Sequence, residues 1–110
     1  MKAIDWRGTS LNAVRRFTED GRKQAGYQLY RVQSGLEPEE WKPMTIVGAG
    51  VREIRVHTKN EFRIIYVATF EEAVYVLHAF QKKTRKTSKH DLEVARLRFK
   101  LLVNERKKKP

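Results

Sequence analysis

Residues 51–81 read VREIRVHT, then KN, EFRIIYVATF, EE and AVYVLHAFQ, and this stretch decides the fold. The runs Val51–Thr58, Glu61–Phe70 and Ala73–Gln81 are rich in Val, Ile, Tyr and Phe, which suit a pleated, half-buried surface. The gaps between them, Lys59-Asn60 and Glu71-Glu72, are the right length for hairpins, so the three strands are expected to run antiparallel. Period two then sorts their side chains by face. Ile54 and Val56 separate from Glu53, Arg55 and His57. Phe62, Ile64 and Tyr66 separate from Arg63, Ile65 and Val67. On the last strand the same rule puts Val74, Val76, His78 and Phe80 opposite Tyr75, Leu77 and Ala79.

Working upstream, residues 36–50 read as a loop: Pro38 and Pro43 break regular structure, and Gly48 and Gly50 give the backbone freedom. Before it lie two helices. Ser10 is positioned to cap the first, with Leu11, Val14 and Phe17 on one face, and Asp20 to cap the second, with Ala25, Leu29 and Val32 inward. Gly35 is placed to end the second helix in the left-handed conformation. Lys2–Trp6 alternates polar and apolar residues and reads as a short strand. Downstream, Ser88 with Asp91 three residues on marks the start of a last helix, striped by Leu92, Ala95, Phe99, Leu102 and Val103. The order is therefore β-α-α-β-β-β-α. This is an α+β fold in which a helical hairpin packs on one face of a small antiparallel sheet and a helix closes the chain. We read residues 1–104 as a single domain and 105–110 as a basic tail.

The 110 residues carry a net charge of +11 and include no cysteine. Disulfides and thiolate metal sites are thereby excluded, which agrees with a reducing cytoplasm. The segment from Met1 to Trp6 has none of the apolar core of a signal peptide, and no apolar run is long enough to span a bilayer, so a cytoplasmic protein with no membrane partner is expected. The charge is unevenly spread. Residues 81–110 hold twelve basic and three acidic side chains, against twelve and ten in residues 1–80. A positive field that concentrated attracts polyanions, and nucleic acid is the polyanion it favours.

Arg55 and Arg63 lie on neighbouring strands, and the short connection around Lys59 brings them side by side. Two cations at cross-strand distance repel unless an anion lies between them, or unless Glu53 and Glu61 pair with them as surface salt bridges. The anion is the favoured reading, with both arginines exposed. The run Gln81-Lys82-Lys83-Thr84-Arg85-Lys86-Thr87 leads from the last strand to a helix N-terminus, which itself favours phosphate. Lys82, Lys83, Thr84, Arg85 and Lys86 are the candidate phosphate-binding residues. His78 lies four residues before Lys82. An imidazole there is either a core residue or a general acid–base. The three histidines lack metal-ligand spacing, and no Gly-rich phosphate loop or serine elbow is present, so neither a metal nor a cofactor is expected.

Trp41-Lys42-Pro43-Met44, Gly50–Val56, Phe62–Tyr66 and Val76–Thr87 occur in this order, and the series resembles the phage-derived, HigB-like branch of the RelE/ParE toxin superfamily. The Leu-His-Ala-Phe-Gln-Lys-Lys-Thr block before a helix is its most specific part, and residues 41–98 carry the resemblance best. It implies the β-α-α-β-β-β-α domain and a toxin of a type II toxin–antitoxin pair, with a cognate antitoxin, often a helix-turn-helix protein, as partner. It further implies a ribosome-dependent mRNA endonuclease in which the RNA 2′-hydroxyl attacks the adjacent phosphate. Arg55, Arg63, Lys82 and Lys83 match the basic positions of such enzymes. The tyrosine of RelE has no obvious counterpart, leaving His78, Tyr66 and His90 as candidates to move the proton. ParE-like members share the fold and inhibit DNA gyrase, so a non-catalytic gyrase inhibitor or basic nucleic-acid binder is the alternative.

Overall fold

The computed structural model describes residues 1–108. Its elements are β1 (Ala3–Trp6), α1 (Ser10–Arg15), α2 (Glu19–Gln33), β2 (Trp41–Pro43), β3 (Val51–His57), β4 (Glu61–Val67), β5 (Ala73–Lys82) and α3 (Lys89–Lys107). The fold is α+β, as expected, but the sheet has one strand more than the four read from the sequence. Five strands lie in the order β1-β5-β4-β3-β2. The β3–β4 and β4–β5 pairs are antiparallel as the short links require. β1 lies parallel to β5, so the sheet is mixed rather than purely antiparallel. β2 forms inside the segment read as a loop. Its Pro43, which has no N–H to donate, is tolerated because β2 is an edge strand.

Helices cover both faces of the sheet. α1, α2 and the link between them place Val14, Phe17, Ala25, Leu29 and Val32 against Ile54, Val56, Phe62, Ile64, Tyr66, Val74 and Val76. α3 places Ala95 and Leu102 on the opposite face, against Ile65, Val67, Tyr75 and Leu77. β4 is consequently buried on both sides from Phe62 to Val67. The sequence carries the reason: Ile65 and Val67 are apolar on the face that a one-sided sheet would leave wet.

The ends of the helices show how local chemistry sets them. Thr18, not Asp20, caps α2, accepting a hydrogen bond from the Gly21 N–H at 3.2 Å, while Glu19 and Asp20 occupy the first turn. Ser10 is the first residue of α1 rather than its cap. It is buried and donates its hydroxyl to the Val76 carbonyl at 3.1 Å, tying the helix to β5. Gly35, at φ 85°, ends α2 as expected, with the Gly35 and Leu36 N–H groups closing on the Val32 and Arg31 carbonyls. Ser88 caps α3, accepting from the Asp91 N–H at 3.1 Å and donating to the Asp91 carboxylate at 2.6 Å. α3 continues to Lys107, past the point where the sequence reading begins a tail. Lys109 and Pro110 lie outside the described residues.

Candidate nucleic-acid interface

β3 and β4 pair so that Arg55 stands directly opposite Arg63, Glu53 opposite Ile65, and His57 opposite Glu61. β2 adds Lys42 opposite Glu53, and β5 adds Lys82 opposite Glu61. Alternation along these strands puts Lys42, Glu53, Arg55, Glu61, Arg63 and Lys82 on the face that also carries α3. α3 covers the Ile65 and Val67 end of this face. The Arg63 and Lys82 end lies beyond the helix N-terminus, beside the 83–88 loop, where the Thr87 hydroxyl donates to Glu53 Oε2 at 3.1 Å.

The pair is asymmetric in burial, which corrects the expectation of two exposed arginines. Arg63 is only 5 % exposed. Its Nη1 donates to Glu61 at 3.1 Å and to the Phe62 carbonyl at 2.9 Å, and its Nε lies 3.7 Å from Glu53. The acidic neighbours that the sequence offered as surface partners do bind Arg63, but one of them, Glu53, is fully buried. Arg55 is half-buried, and its buried Nε has no hydrogen-bond partner among the described residues. Lys42 Nζ lies 3.8 Å from Glu53. The Lys82 ammonium is held below the usual lysine range, first by partial burial and then by the charges of Arg63, Lys42 and Arg55, with Glu53 opposing. Four cations thus share one end of the sheet with two carboxylates, a surplus suited to a bound anion.

β5 breaks the period-two reading. A bulge between the Ile65 and Tyr66 pairings sets Ile65 against His78 and Tyr66 against Val76. Past it the phase reverses. Ala79 joins the α1–α2 core, while Phe80 packs on the α3 side. The bulge therefore carries His78 to the same face as Arg63 and Lys82, opposite to its expected partners Val74 and Val76. There His78 Nε2 bonds Asp91 at 2.7 Å and its ring stacks on Phe80 at 5.3 Å. Burial pushes the imidazole down, against the pull of Asp91. Tyr66 does not join the cluster. It is 1 % exposed in the core beneath α1 and α2, on the far face, and burial raises its phenol. His90 is exposed near the start of α3.

Lys83, Thr84, Arg85 and Lys86 are all exposed in the loop after β5, which is braced by a bond from the Thr84 hydroxyl to the Lys86 carbonyl at 2.7 Å. The site residues that the sequence reading missed are Lys42, Glu53 as a buried member, and Thr87. Glu53 had a signal, being two residues from Arg55 on one strand face. Lys42 had none, because β2 was read as loop.

No helix among the described residues is long and apolar enough to cross a membrane. No curated protein matches the chain. The profile of the phage-derived protein Gp49-like (DUF891) family matches residues 12–100, which takes in most of the sheet, the basic loop and the larger part of α3. With a match of that extent, the chain belongs to the phage-derived Gp49-like family, a family of RelE-like toxins.

Proposed function

We propose that this chain is the toxin of a type II toxin–antitoxin pair and acts as a ribosome-dependent endoribonuclease on mRNA. The observation that carries the reading is the direct Arg55–Arg63 register pair with Lys42 and Lys82 beside it. Like charges at that distance are stabilised by an anion, and a phosphodiester is the anion that the family's toxin character favours. The RNA supplies its own nucleophile. The 2′-oxygen bonds to phosphorus as its proton passes to a base, and the bond from phosphorus to the 5′-oxygen breaks. The leaving oxygen takes a proton from solvent or from the Lys83 ammonium, and the products are a 2′,3′-cyclic phosphate and a 5′-hydroxyl. Arg55 and Arg63 stabilise the charge that builds on the phosphoryl oxygens, where preorganised donors act most strongly. Lys82, beside the arginine pair and opposite Glu61, is the base in this reading; partial burial and the neighbouring cations hold its ammonium below the usual lysine range. Lys83, Thr84, Arg85 and Lys86 grip the flanking backbone as exposed point charges and hydroxyl. A cognate antitoxin, a small helix-turn-helix protein in this reading, restrains the activity.

The test is primer extension on mRNA under translation with purified protein, beside ribosome-free controls and a gyrase supercoiling assay. Cuts that need the ribosome are expected, with Lys82→Arg reducing the rate more than the affinity. Wild-type protein that makes no cuts in either setting but blocks gyrase would replace this reading with the ParE-like one.

A further inference from the structure

Glu53 is a carboxylate with no exposed surface at the centre of the cationic cluster. A buried charge is unfavourable unless its neighbours compensate it, and its negative sign repels the phosphate that the site is built to take. Because it is buried, it cannot touch a substrate. Its contacts run elsewhere. Oε1 accepts no hydrogen bond from the described residues but lies 3.7 Å from Arg63 Nε and 3.8 Å from Lys42 Nζ, while Oε2 accepts from the Thr87 hydroxyl at 3.1 Å.

We propose that Glu53 is the positioning residue of this site: it holds Arg63 and Lys42 from beneath and, through Thr87, latches the basic 83–86 loop to the sheet. The inference rests on the reading of the cluster as a phosphate site. Arg63 is held from two sides, by hydrogen bonds from Nη1 to Glu61 and the Phe62 carbonyl and by the charge of Glu53, whose Oε1 lies 3.7 Å from the buried Nε, so its guanidinium is placed before any ligand arrives. The loop is likewise pinned at both ends. Lys82 belongs to β5, and Thr87 is tied across to β3 just before the Ser88 cap of α3. One carboxylate thus joins two cations, Lys42 of β2 and Arg63 of β4, and the Thr87 hydroxyl at the end of the basic loop. Without it the mutual repulsion of the cations would spread them.

The test uses the full chain, isotope-labelled at arginine and lysine, as wild type, Glu53→Gln and Thr87→Val. Glutamine keeps the volume and an acceptor for Thr87 but removes the charge. In the wild type the Arg63 Nε–H should give a dispersed, slowly exchanging NMR signal. In Glu53→Gln that signal should collapse toward the solvent-averaged position, and Lys82 should titrate at lower pH because the opposing carboxylate is gone. Single-turnover cleavage of ribosome-bound mRNA should fall on the order of 10²-fold through misplacement of Arg63. Affinity should hold or tighten, since one negative charge has left the site. Thr87→Val should leave the Arg63 signal and the Lys82 titration in place while speeding amide exchange in residues 83–86 and lowering affinity several-fold. A folded Glu53→Gln protein with the wild-type Arg63 signal and the wild-type rate overturns the proposal. Should Glu53→Gln fail to fold, Thr87→Val decides: unchanged loop exchange and affinity overturn the latch, and loss of both upholds it. A wild type that makes no cuts defeats the ribonuclease reading alone, because the Arg63 and Lys82 signals still report whether Glu53 organises the cluster.

Discussion

At the scale of single residues, the Arg55–Arg63 pair separates catalysis from stability. Arg55 is half-buried and sits where its loss leaves no described ion pair broken. Arg55→Ala should keep the melting temperature close to wild type while lowering mRNA cleavage by about 10²–10³-fold, the usual effect of one missing charge contact in a transition state. Arg63→Ala removes the buried partner of a buried carboxylate. It should cost about 3 kcal/mol, near the lower end for a broken buried pair because Lys42 and Thr87 remain on Glu53. Urea unfolding beside primer extension distinguishes the two. His78, partly buried and bonded to Asp91, is expected on the stability side. Burial holds its folded pKa below the ordinary imidazole range, so its contribution is present above the unfolded pKa and is lost as pH falls through the folded one. His78→Gln keeps a donor for Asp91 but cannot take up a proton. Thermal melts should show less acid-side loss than in the wild type, and cleavage per folded molecule should be unchanged. A rate lost at an unchanged melting temperature would instead make His78 the proton carrier.

At the scale of elements, α2 shows close approach outweighing helix propensity. Gly21 lies in its first turn, and a Cβ built there would stand 2.5 Å from the Phe62 ring, which also stacks on Phe17 at 4.2 Å. Propensity alone makes Gly→Ala in a helix favourable by about 1 kcal/mol. The contact reverses the sign, because the ring belongs to the core between hairpin and sheet and has little room to retreat. Gly21→Ala should therefore destabilise the fold by about 1–3 kcal/mol, as overpacked cores do. Equilibrium denaturation measures it, and a stabilised variant would mean that the ring shifts freely. The His57 bridge at the β3–β4 turn is a second device at this scale. Its Nδ1 meets Glu61 at 2.6 Å and its Nε2 meets Glu40, joining the turn to the chain before β2. The hydrogen bond to Glu61, then that to Glu40, raises the imidazole pKa. Burial opposes the effect on Glu61, but His57 and Arg63 together hold its carboxyl below the usual range.

At the scale of the whole molecule, the positive charge collects in the loop after β5 and in α3, next to the cluster on the sheet. With about four cations facing phosphates and about 0.7 counterions released per contact on a single strand, log affinity for RNA should fall against log salt with a slope of roughly −3. Arg55→Ala should make that slope shallower by about 0.7, one contact fewer on a single strand. Filter binding across a salt series checks both numbers, and an affinity indifferent to salt would exclude the electrostatic account.

The strand pattern of residues 51–81, the caps at Ser88 and Gly35 and the facing of Arg55 and Arg63 follow from the sequence, because each depends on neighbours along the chain or across a short hairpin. Such contacts obey fixed periods and turn chemistry. The parallel pairing of β1 with β5, the side on which α3 lies, and the burial of Arg63 and Glu53 were decided by tertiary structure, because they depend on segments brought together from far along the chain. His78 shows the division most clearly. Period two assigns it to the wrong face because one unpaired residue in β5 reverses the alternation, and the bulge has no signature within the strand itself. Glu53 shows the same limit from the side of energy. Its position on the strand was readable, but a carboxylate is stable there only because β2, β4 and the 83–88 loop together enclose and compensate it.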